Sequence, residues 1–233
     1  MPSISAVMPA YNEEANIAPQ VLEVIDTLRS IVDDFEVIVV NDGSRDRTGE
    51  IVQELSAEYP QVRVVTHPRN LGYGAALYSG FVNAGKELVF LTDSDRQFDL
   101  SDLHRLLPLI AHADIVAGYR NPRRDPPIRV LNGIGWSALV TLLFGYMARD
   151  IDCAFKLFKR DILQHIKLTT RGATFSAEFL IRSKRAGYEI VEVGVHHRPR
   201  RAGSPTGARP DVIIRAFREL FRLRWQLWFD DNA

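Results

Sequence analysis

The stretch at residues 35–51, FEVIVVNDGSRDRTGEI, joins an apolar run to a polar turn and then to the start of a helix. The continuous run VIVV at 37–40 predicts a strand that is buried on both faces. The turn that follows contains Asp46, whose carboxylate can cap a helix beginning at Thr48. A buried strand that passes through a short turn into a helix is the repeating unit of a parallel sheet.

The same alternation of strand and helix runs through the first half of the chain. Short runs rich in Val and Ile predict strands at 4–9, 35–42, 62–67, 87–93 and 114–119. Helical patterns occupy 16–32, 48–58, 73–84 and 100–110. The sequence therefore predicts an α/β fold in which helices cover both faces of a parallel sheet. Ligands of such sheets bind beyond the carboxyl ends of the strands.

Composition excludes several classes of protein. The 29 basic and 29 acidic side chains cancel, so no overall field attracts nucleic acid, and we expect no nucleic-acid partner. The single cysteine, Cys153, cannot form an internal disulfide and favours a reducing compartment, with the cytosol as the default. The N-terminal stretch MPSISAVMPAYNEE has no basic segment followed by a long apolar one, so we predict no secretory signal.

Polar side chains follow three of the predicted strands, at the edge where ligands should bind. Tyr11 and Glu13 come just after the first strand, and the second strand ends in Asn41 and Asp42. The fourth strand runs into the acidic segment TDSDRQ. The segment NDGS alone is also typical of an ordinary turn. Three such groups at successive strand ends indicate one shared binding crevice.

The acidic segment after the fourth strand has the composition of a site for a hard divalent cation. Asp93 and Asp95 are two positions apart, and Gln97 follows two positions later. Two carboxylates this close repel each other unless a cation lies beside them. Oxygen ligands suit Mg²⁺ or Mn²⁺, whose coordination substrate phosphates usually complete, and the segment has no His or Cys to favour zinc. We therefore predict Asp93, Asp95 and Gln97 as ligands of Mg²⁺ or Mn²⁺.

Four motifs resemble, in order and spacing, those of the family 2 glycosyltransferases of the GT-A fold. They are VMPAYNEEANI, VVNDGSRDRTGEI, NLGYGAALYSGF and LTDSDRQFDL. The chain is most similar to the dolichol- or polyprenyl-phosphate mannose synthase branch, from about residue 3 to about residue 203. The resemblance implies a nucleotide-sugar donor, a divalent metal and transfer with inversion at the anomeric carbon. It also implies one catalytic domain over 1–233, with a nucleotide-sugar half at about 1–118 and an acceptor half at about 119–233.

The resemblance assigns roles to residues of the crevice. It implies that the base and ribose of the nucleotide are held by Pro9, Tyr11, Glu13 and Asp42. It implies that the metal is held against the diphosphate by Asp93, Asp95 and Gln97. A cation in that position would stabilise the negative charge that develops on the departing nucleoside diphosphate. Asp95 is therefore counted among the catalytic residues.

Four arginines lie close together beyond the fifth strand, in the segment GYRNPRRDPPIR. Such a run is often a solvated loop, but the planar guanidinium group also suits bidentate binding of phosphate. The resemblance implies that Arg120 and Arg129 bind the phosphate of a lipid acceptor. A phosphate monoester is largely ionised at neutral pH and can attack without a strong base. Asp152, in a segment similar to one in the family, is the candidate base if one is needed, and an ordinary cap or strand-edge residue otherwise.

Two stretches of the second half are apolar enough to contact a membrane. Residues 130–148 carry no charge, but polar and glycine residues dilute the run. We predict an interfacial or groove-lining helix there, with a buried core helix as the alternative. On a helix over 212–229, one apolar face would hold Ile213, Phe217, Leu220, Phe221 and Trp228. That face suits a membrane surface, although packing on the core with the arginines outward fits almost as well.

The loop HHRPRRAGSPTGARP resembles the segment with which the family often closes its site. Arg200 and Gly203 match, and we include Arg200 among the donor-binding residues. Pro205 and Thr206 stand where Ser and Lys are expected, which leaves the phosphate contact of this loop and the substrate choice open. None of the six histidines shows metal-ligand spacing, and none is assigned a catalytic role.

These features predict an inverting, metal-dependent hexosyltransferase, peripheral at the cytoplasmic face of a membrane. The donor is GDP-mannose or UDP-glucose, with mannose favoured, and the acceptor is a polyprenyl or dolichyl phosphate. The predicted catalytic residues are Asp95, Asp152, Arg120 and Arg129. One alternative is an enzyme acting on a soluble phosphorylated acceptor, which would not need the two amphipathic helices. Another is a catalytically silent nucleotide-sugar-binding protein, against which the intact acidic set argues.

Overall fold

The computed structural model describes residues 2–200 and 210–230, which form an α/β structure around one sheet. The strands are β1 Ile4–Ala10, β2 Phe35–Asn41, β3 Val62–Thr66, β4 Leu88–Leu91, β5 Ile115–Arg120, β6 Lys156–Lys159 and β7 Ile190–Val195. The helices are α1 Ile17–Arg29, α2 Thr48–Glu58, α3 Tyr73–Asn83, α4 Leu103–Ile110, α5 Pro127–Phe144, α6 Ile162–His165, α7 Phe175–Arg185 and α8 Pro210–Asp230. All the strands and helices predicted in the first half are present, and a 3₁₀ turn at Leu100–Asp102 precedes α4.

The sheet is mostly parallel, with one reversed strand near its middle. The strand order is β3-β2-β1-β4-β6-β5-β7, and β6 runs antiparallel to both of its neighbours. Leu91 at the carboxyl end of β4 pairs with Lys156 at the amino end of β6. The residues just before β6 therefore lie at the same edge of the sheet as the residues just after β4. The α/β fold with helices on a mostly parallel sheet is confirmed, and β6 is the exception to the parallel pattern.

The core lies on both faces of the sheet. Every residue of β1 and β4 is buried, as their nearly continuous apolar sequences predict. On one face, the Phe158 ring of β6 packs against the Phe81 ring of α3 at 5.0 Å and the Phe179 ring of α7 at 4.7 Å. A Cβ atom on Gly80 would come within 2.2 Å of Val7 Cγ1, so only glycine lets α3 lie this close to β1.

Helix α5 is largely exposed although it is apolar. Its Ile128, Leu131, Ile134 and Leu142 side chains are each more than half exposed, so the alternative of a buried core helix is wrong. Among the described helices, α5 alone is long and apolar enough to cross a membrane, a test that buried helices of soluble proteins also pass. It packs beside α8, where the Trp136 and Phe217 rings meet at 6.1 Å.

Helix α8 combines the two arrangements that its sequence allows. Leu220, Leu223 and Leu227 are buried against the rest of the protein. The predicted apolar face is therefore divided, with Leu220 on the buried side and Phe217, Phe221 and Trp228 on the exposed side. The apolar stripe of α8, which we define as its exposed apolar side chains, consists of Ile214, Phe217, Phe221, Trp225 and Trp228. These positions recur every three or four residues and so share one side of the helix.

Candidate active site

A cavity of about 650 Å³ opens at the carboxyl edge of β1, β2 and β4, and α5 and α8 contribute to its wall. The wall includes the predicted site residues Pro9, Tyr11, Glu13, Asp42, Asp93, Asp95, Arg120, Arg129, Asp152 and Arg200. Gln97 is not among the lining residues. The shared crevice expected from the strand-end rule is therefore present, and it extends to the helices of the second half.

The loops after β1 and β2 are joined by hydrogen bonds between their side chains and backbones. The Ser44 hydroxyl accepts the backbone N–H of Asn12 at 3.1 Å, and the Asn12 amide oxygen accepts the N–H of Arg45 at 2.8 Å. The Thr48 hydroxyl oxygen accepts the backbone N–H of Glu13 at 2.8 Å. Asp46 accepts the N–H of Thr48 at 3.0 Å, as the predicted cap requires. This network holds Tyr11 and Glu13 against the turn that carries Asp42.

Asp42 is buried at the end of β2 and accepts three N–H groups. Its Oδ1 atom accepts from His67 Nδ1 at 2.7 Å and from the backbone of Leu71 at 2.9 Å. Its Oδ2 atom accepts the backbone N–H of Gly72 at 2.9 Å. The turn is packed against the loop that leads into α3, because a Cβ on Gly43 would come within 2.3 Å of a backbone carbon in that loop. The Asp42 carboxylate is thus fixed in the cavity wall.

Asp93 and Asp95 lie just beyond β4, where carboxylates crowd in a poorly solvated part of the wall. Burial and the Asp95 charge raise the pKa of Asp93 to about 7, although the Tyr73 hydroxyl donates to it at 3.2 Å. Burial also raises the pKa of Asp95, against the opposing charge of Arg200. Burial is the main cause of both shifts, and a neighbouring carboxylate adds to each pKa, Asp95 to that of Asp93 and Glu13 to that of Asp95.

The chemistry of this donor set fits a divalent cation completed by substrate phosphates. Asp93 and Asp95 supply hard oxygen ligands, and Mg²⁺ or Mn²⁺ is commonly held by one or two carboxylates plus phosphate oxygens. Within the described residues, no three His, Cys, Asp or Glu side chains form a complete protein-only metal site. Gln97 is buried away from the cavity wall, and its amide nitrogen donates to the Arg198 carbonyl at 3.1 Å. The role of Gln97 as a ligand stays a prediction without support from this geometry.

Arg200 brings positive charge to the same carboxylates. Its guanidinium group donates to Asp95 at 3.2 Å and to the Glu13 carboxylate. It therefore links the loop after β1, the loop after β4 and the chain beyond β7. Gly203, Pro205 and Thr206, where the sequence departs in part from the family pattern, lie outside the described residues.

The arginines at the carboxyl end of β5 and in the segment after it form an ion-pair network with two carboxylates. Arg120 makes a two-pronged pair with Asp150, at 2.6 and 2.7 Å, and its third nitrogen lies 3.1 Å from Asp125. Arg123 and Arg129 also pair with Asp125, at 2.8 and 3.0 Å. The interpretation of this segment as a simple solvated loop is therefore wrong. Three guanidinium groups share two carboxylates, so the network carries a net positive charge on the cavity wall.

Asp152 precedes β6, and its carboxylate lies on the cavity wall. Because it precedes a strand, the alternative of a helix cap is wrong. The protein around it, together with the nearby Asp150 charge, raises the pKa of Asp152 to about 6, although the residue itself is accessible. The buried ammonium group of Lys156 donates to the carbonyl oxygen of Ile151 at 3.0 Å and to that of Cys153. Lys156 thus fixes the backbone on both sides of Asp152.

Several wall residues were missed by reasoning from the sequence. Tyr73, Asn70 and Gly72 belong to the NLGYG segment after β3, whose position at the same strand edge would have predicted them. Trp136 of α5 and Ser176 of α7 reach the cavity through tertiary packing, and their local sequence carries no signal of it.

The chain is similar in sequence to glycosyltransferases that are named for polyprenyl phosphates. The family model for glycosyl transferase family 2 matches residues 5–167. The dolichyl-phosphate beta-glucosyltransferase ALG5C of Trichomonas vaginalis is 31% identical over 212 residues, covering 81% of this chain and 62% of the relative. The undecaprenyl-phosphate mannosyltransferase of Micrococcus luteus is 28% identical over 240 residues, covering 96% of each chain. The chain thus spans less than two thirds of the length of the Trichomonas relative.

The fold is shared with a solved glycosyltransferase structure. Glucosyl-3-phosphoglycerate synthase of Mycobacterium tuberculosis, in complex with Mn²⁺, UDP-glucose and phosphoglyceric acid, superposes with a TM-score of 0.71 at 22% identity. The match covers 96% of this chain and 80% of that one. The predicted GT-A fold is therefore confirmed. By the extent of the family match over residues 5–167, the chain belongs to glycosyl transferase family 2.

Proposed function

We propose that this protein transfers a hexose from a nucleoside diphosphate sugar to a polyprenyl phosphate at a membrane surface, with the help of Mg²⁺ or Mn²⁺. One observation carries the proposal. A single cavity has a pair of carboxylates, Asp93 and Asp95, on one part of its wall and the arginines Arg120, Arg123 and Arg129 on another. The first group suits a cation bound to a diphosphate, and the second suits a separate phosphate.

On the donor side, the fixed loops after β1 and β2 would bind the nucleoside. Pro9, Tyr11, Glu13 and Asp42 line this part of the cavity. Asp93 and Asp95 would hold the divalent cation against the diphosphate. The bound cation would stabilise the negative charge on the leaving nucleoside diphosphate. Arg200 lies beside the same carboxylates and would bind the donor once the cation neutralises them.

On the acceptor side, Arg129 is the arginine best placed to bind a phosphate. It is held by one ion pair and is more exposed than Arg120, whose guanidinium group is occupied by Asp150 and Asp125. Arg120 would therefore act mainly by holding this wall in place and adding positive charge. An ionised phosphate oxygen would attack the anomeric carbon, and Asp152 lies on the wall as a proton acceptor for any monoprotonated phosphate.

The surroundings of the cavity favour an acceptor with an apolar tail. Helix α5 contributes Arg129 and Trp136 to the cavity and also carries the exposed Ile128, Leu131 and Ile134 side chains. An isoprenoid chain costs about 0.8 kcal/mol for each CH₂ group that leaves the bilayer, so an enzyme that uses it must come to the membrane. The exposed apolar side chains of α5 and α8 would lie in the interface of the cytoplasmic leaflet, with arginines near the headgroups.

The relatives support a hexose and a lipid phosphate without choosing the sugar. One carries glucose in its name and another mannose, and their acceptors are dolichyl and undecaprenyl phosphate. The solved neighbour binds UDP-glucose with Mn²⁺. We propose UDP-glucose or GDP-mannose as the donor and Mn²⁺ or Mg²⁺ as the cation of this protein.

The test is a transfer assay with two acceptors. Purified protein is mixed with Mn²⁺, with radiolabelled UDP-glucose or GDP-mannose, and with either a polyprenyl phosphate in liposomes or 3-phosphoglycerate in solution. We expect label in the lipid phase, and we expect Asp95→Ala to abolish it. If the label appears only on 3-phosphoglycerate, the proposed lipid acceptor is wrong and the acceptor is a soluble phosphorylated molecule. Nucleotide-sugar binding without any transfer would indicate a silent binding protein.

The membrane part of the proposal has its own test, which is flotation with liposomes containing anionic lipid. Wild-type protein should float, and replacing Phe221, Trp225 and Trp228 together by Ser should reduce the bound fraction, because the apolar stripe of α8 is lost. Val82→Ser, which changes an exposed apolar residue on α3, is the matched control and should float like wild type. Circular dichroism confirms that each variant is folded. Wild-type protein that stays with the soluble fraction would contradict the membrane role.

A further inference from the structure

Most of the hydrogen-bond acceptor positions of the Asp42 carboxylate are occupied by N–H groups of the protein itself. An ionised carboxylate offers about four acceptor positions, two on each oxygen. His67 and the backbone of Leu71 take both positions on Oδ1, and the backbone of Gly72 takes one on Oδ2. Among residues 2–200 and 210–230 no further group donates to Asp42, so one position remains, on Oδ2, and Asp42 lies on the wall of the cavity.

The arrangement around Asp42 is held from several sides. His67 is buried, and its Nδ1 atom must carry the hydrogen, because an ionised carboxylate can only accept. The other ring nitrogen lies 2.8 Å from the hydroxyl of Ser79, so both nitrogens of the ring are engaged. The tight backbone packing at Gly43 fixes the turn that carries Asp42. Rotating the carboxylate to expose Oδ1 would break several hydrogen bonds at once.

The nucleobases differ in what they present to such a group. The hydrogen-bonding edge of guanine offers two adjacent N–H groups, which pair with both oxygens of a free carboxylate. Uracil offers a single N–H at N3, and cytosine has an acceptor at that position. A buried donor or acceptor without a partner is costly. A carboxylate with one remaining position therefore matches uracil, leaves a guanine donor without a partner and repels cytosine.

We propose that His67 sets the base selectivity of the donor site by occupying Oδ1 of Asp42, so that uracil is bound in preference to guanine. This inference rests on the proposed nucleotide-sugar function and names both the donor class, a uridine diphosphate sugar, and a specificity-determining residue. His67 is a positioning residue in this scheme, since it acts on the base only through Asp42.

The test is calorimetry in the presence of Mn²⁺ with UDP, GDP, CDP and N3-methyluridine diphosphate. UDP should bind at least about tenfold more tightly than each of the other three, which corresponds to the loss of one well-placed hydrogen bond at a buried site. The N3-methyl compound keeps the ring, the ribose and the diphosphate, so its weakening reports on the N3 position, where the methyl group removes the N–H donor and adds bulk.

Two variants separate positioning from general structure. His67→Ala frees a position on Oδ1, so the ratio of UDP to GDP affinity should fall by about tenfold or more. His67→Asn keeps an N–H donor near the place of Nδ1 and should restore the ratio. Ser79→Ala removes the partner of the second ring nitrogen and provides another variant if His67→Ala does not fold.

The outcomes distinguish this inference from the proposed function. If wild-type protein binds GDP as tightly as UDP, the inference about base selectivity is wrong. The proposed nucleotide-sugar function would still stand. An unchanged affinity ratio in folded His67→Ala would overturn the role of His67. Failure of every nucleoside diphosphate to bind in the presence of Mn²⁺ would overturn the proposed function itself.

Discussion

Replacing Arg120 and Arg129 by alanine, one at a time, should separate a structural arginine from an acceptor-binding one. The Arg120 side chain is 8% exposed and makes a two-pronged pair with Asp150 as well as a contact with Asp125. The Arg129 side chain is 28% exposed, and within the described part of the chain it forms an ion pair with Asp125 alone. The two residues lie in one network, but removing each of them should lower the stability of the folded protein by a different amount.

The expected magnitudes follow from burial. Removing Arg120 leaves the mostly buried carboxylate of Asp150 without its main partner, and breaking a buried pair in this way costs about 3–5 kcal/mol. A chain of this size loses about 2–4 °C in Tm for each kcal/mol, so Arg120→Ala should lower the Tm by roughly 6–20 °C. Removing Arg129 takes away only the most exposed of the three arginines around the buried Asp125 carboxylate, which keeps Arg120 and Arg123 as partners, so it should cost only about 1 kcal/mol.

The assays are differential scanning calorimetry and steady-state kinetics with a polyprenyl phosphate acceptor. Arg129→Ala should keep a Tm within about 4 °C of wild type while its kcat/KM for the acceptor falls steeply and donor affinity is unchanged. Losing a charge-assisted contact to a desolvated phosphate costs about 2–5 kcal/mol in kcat/KM. A loss of stability in Arg129→Ala equal to that in Arg120→Ala, or a loss of donor affinity instead of acceptor kinetics, would refute this division of roles.

Three further predictions concern other parts of the site. Burial opposes the charge of Asp150, but Arg120 outweighs it and lowers the pKa of Asp150. The stability that Asp150 contributes is therefore present above about pH 4 and lost as the pH falls further, and Tm measured from pH 7 to pH 3 should fall more steeply for wild type than for Asp150→Asn. Lys156→Met removes the hydrogen bonds that hold the backbone on either side of Asp152. It should therefore lower the transfer rate, while donor affinity measured by calorimetry stays the same. An unchanged transfer rate would contradict this positioning role. Gly43→Ala should weaken UDP binding and lower the Tm, because its Cβ would clash with the backbone at 2.3 Å and its φ is +65°; wild-type values for both would contradict the close packing of this turn.

Much of the first half of the chain could be predicted because its signals are local. Continuous apolar runs mark β1, β2 and β4, and their carboxyl ends must meet at one edge of a parallel sheet. Asp42 and Asp93 come from different loops, yet the strand-end rule alone brings them to one cavity. That rule requires no knowledge of side-chain contacts, which is why it works from the sequence.

The second half of the chain was harder to predict, because its arrangement depends on contacts between distant residues. Nothing in the segment around Asp125 indicates that its carboxylate is almost fully buried and shared by three arginines. The helix-face pattern of α8 grouped Leu220 with Phe217 and Phe221, which the structure separates into a buried and an exposed side, since periodicity defines a face but does not say where the core lies. His67 was set aside for lack of metal-ligand spacing, whereas its contact with Asp42 comes from the pairing of β2 and β3.

The reversed strand β6 has a consequence for how the chain assembles. In the described sheet, β5 pairs with β6 and β7, and β4 pairs with β1 and β6. During synthesis, β4 therefore stays an open edge, and β5 has no strand to join, until the ribosome has released residues up to Lys159. A chain cut after residue 120 would expose the apolar edge of β4, which is a template for pairing with other chains. We therefore expect fragments that end after β5 to aggregate, and the two parts of the chain to fold together or not at all.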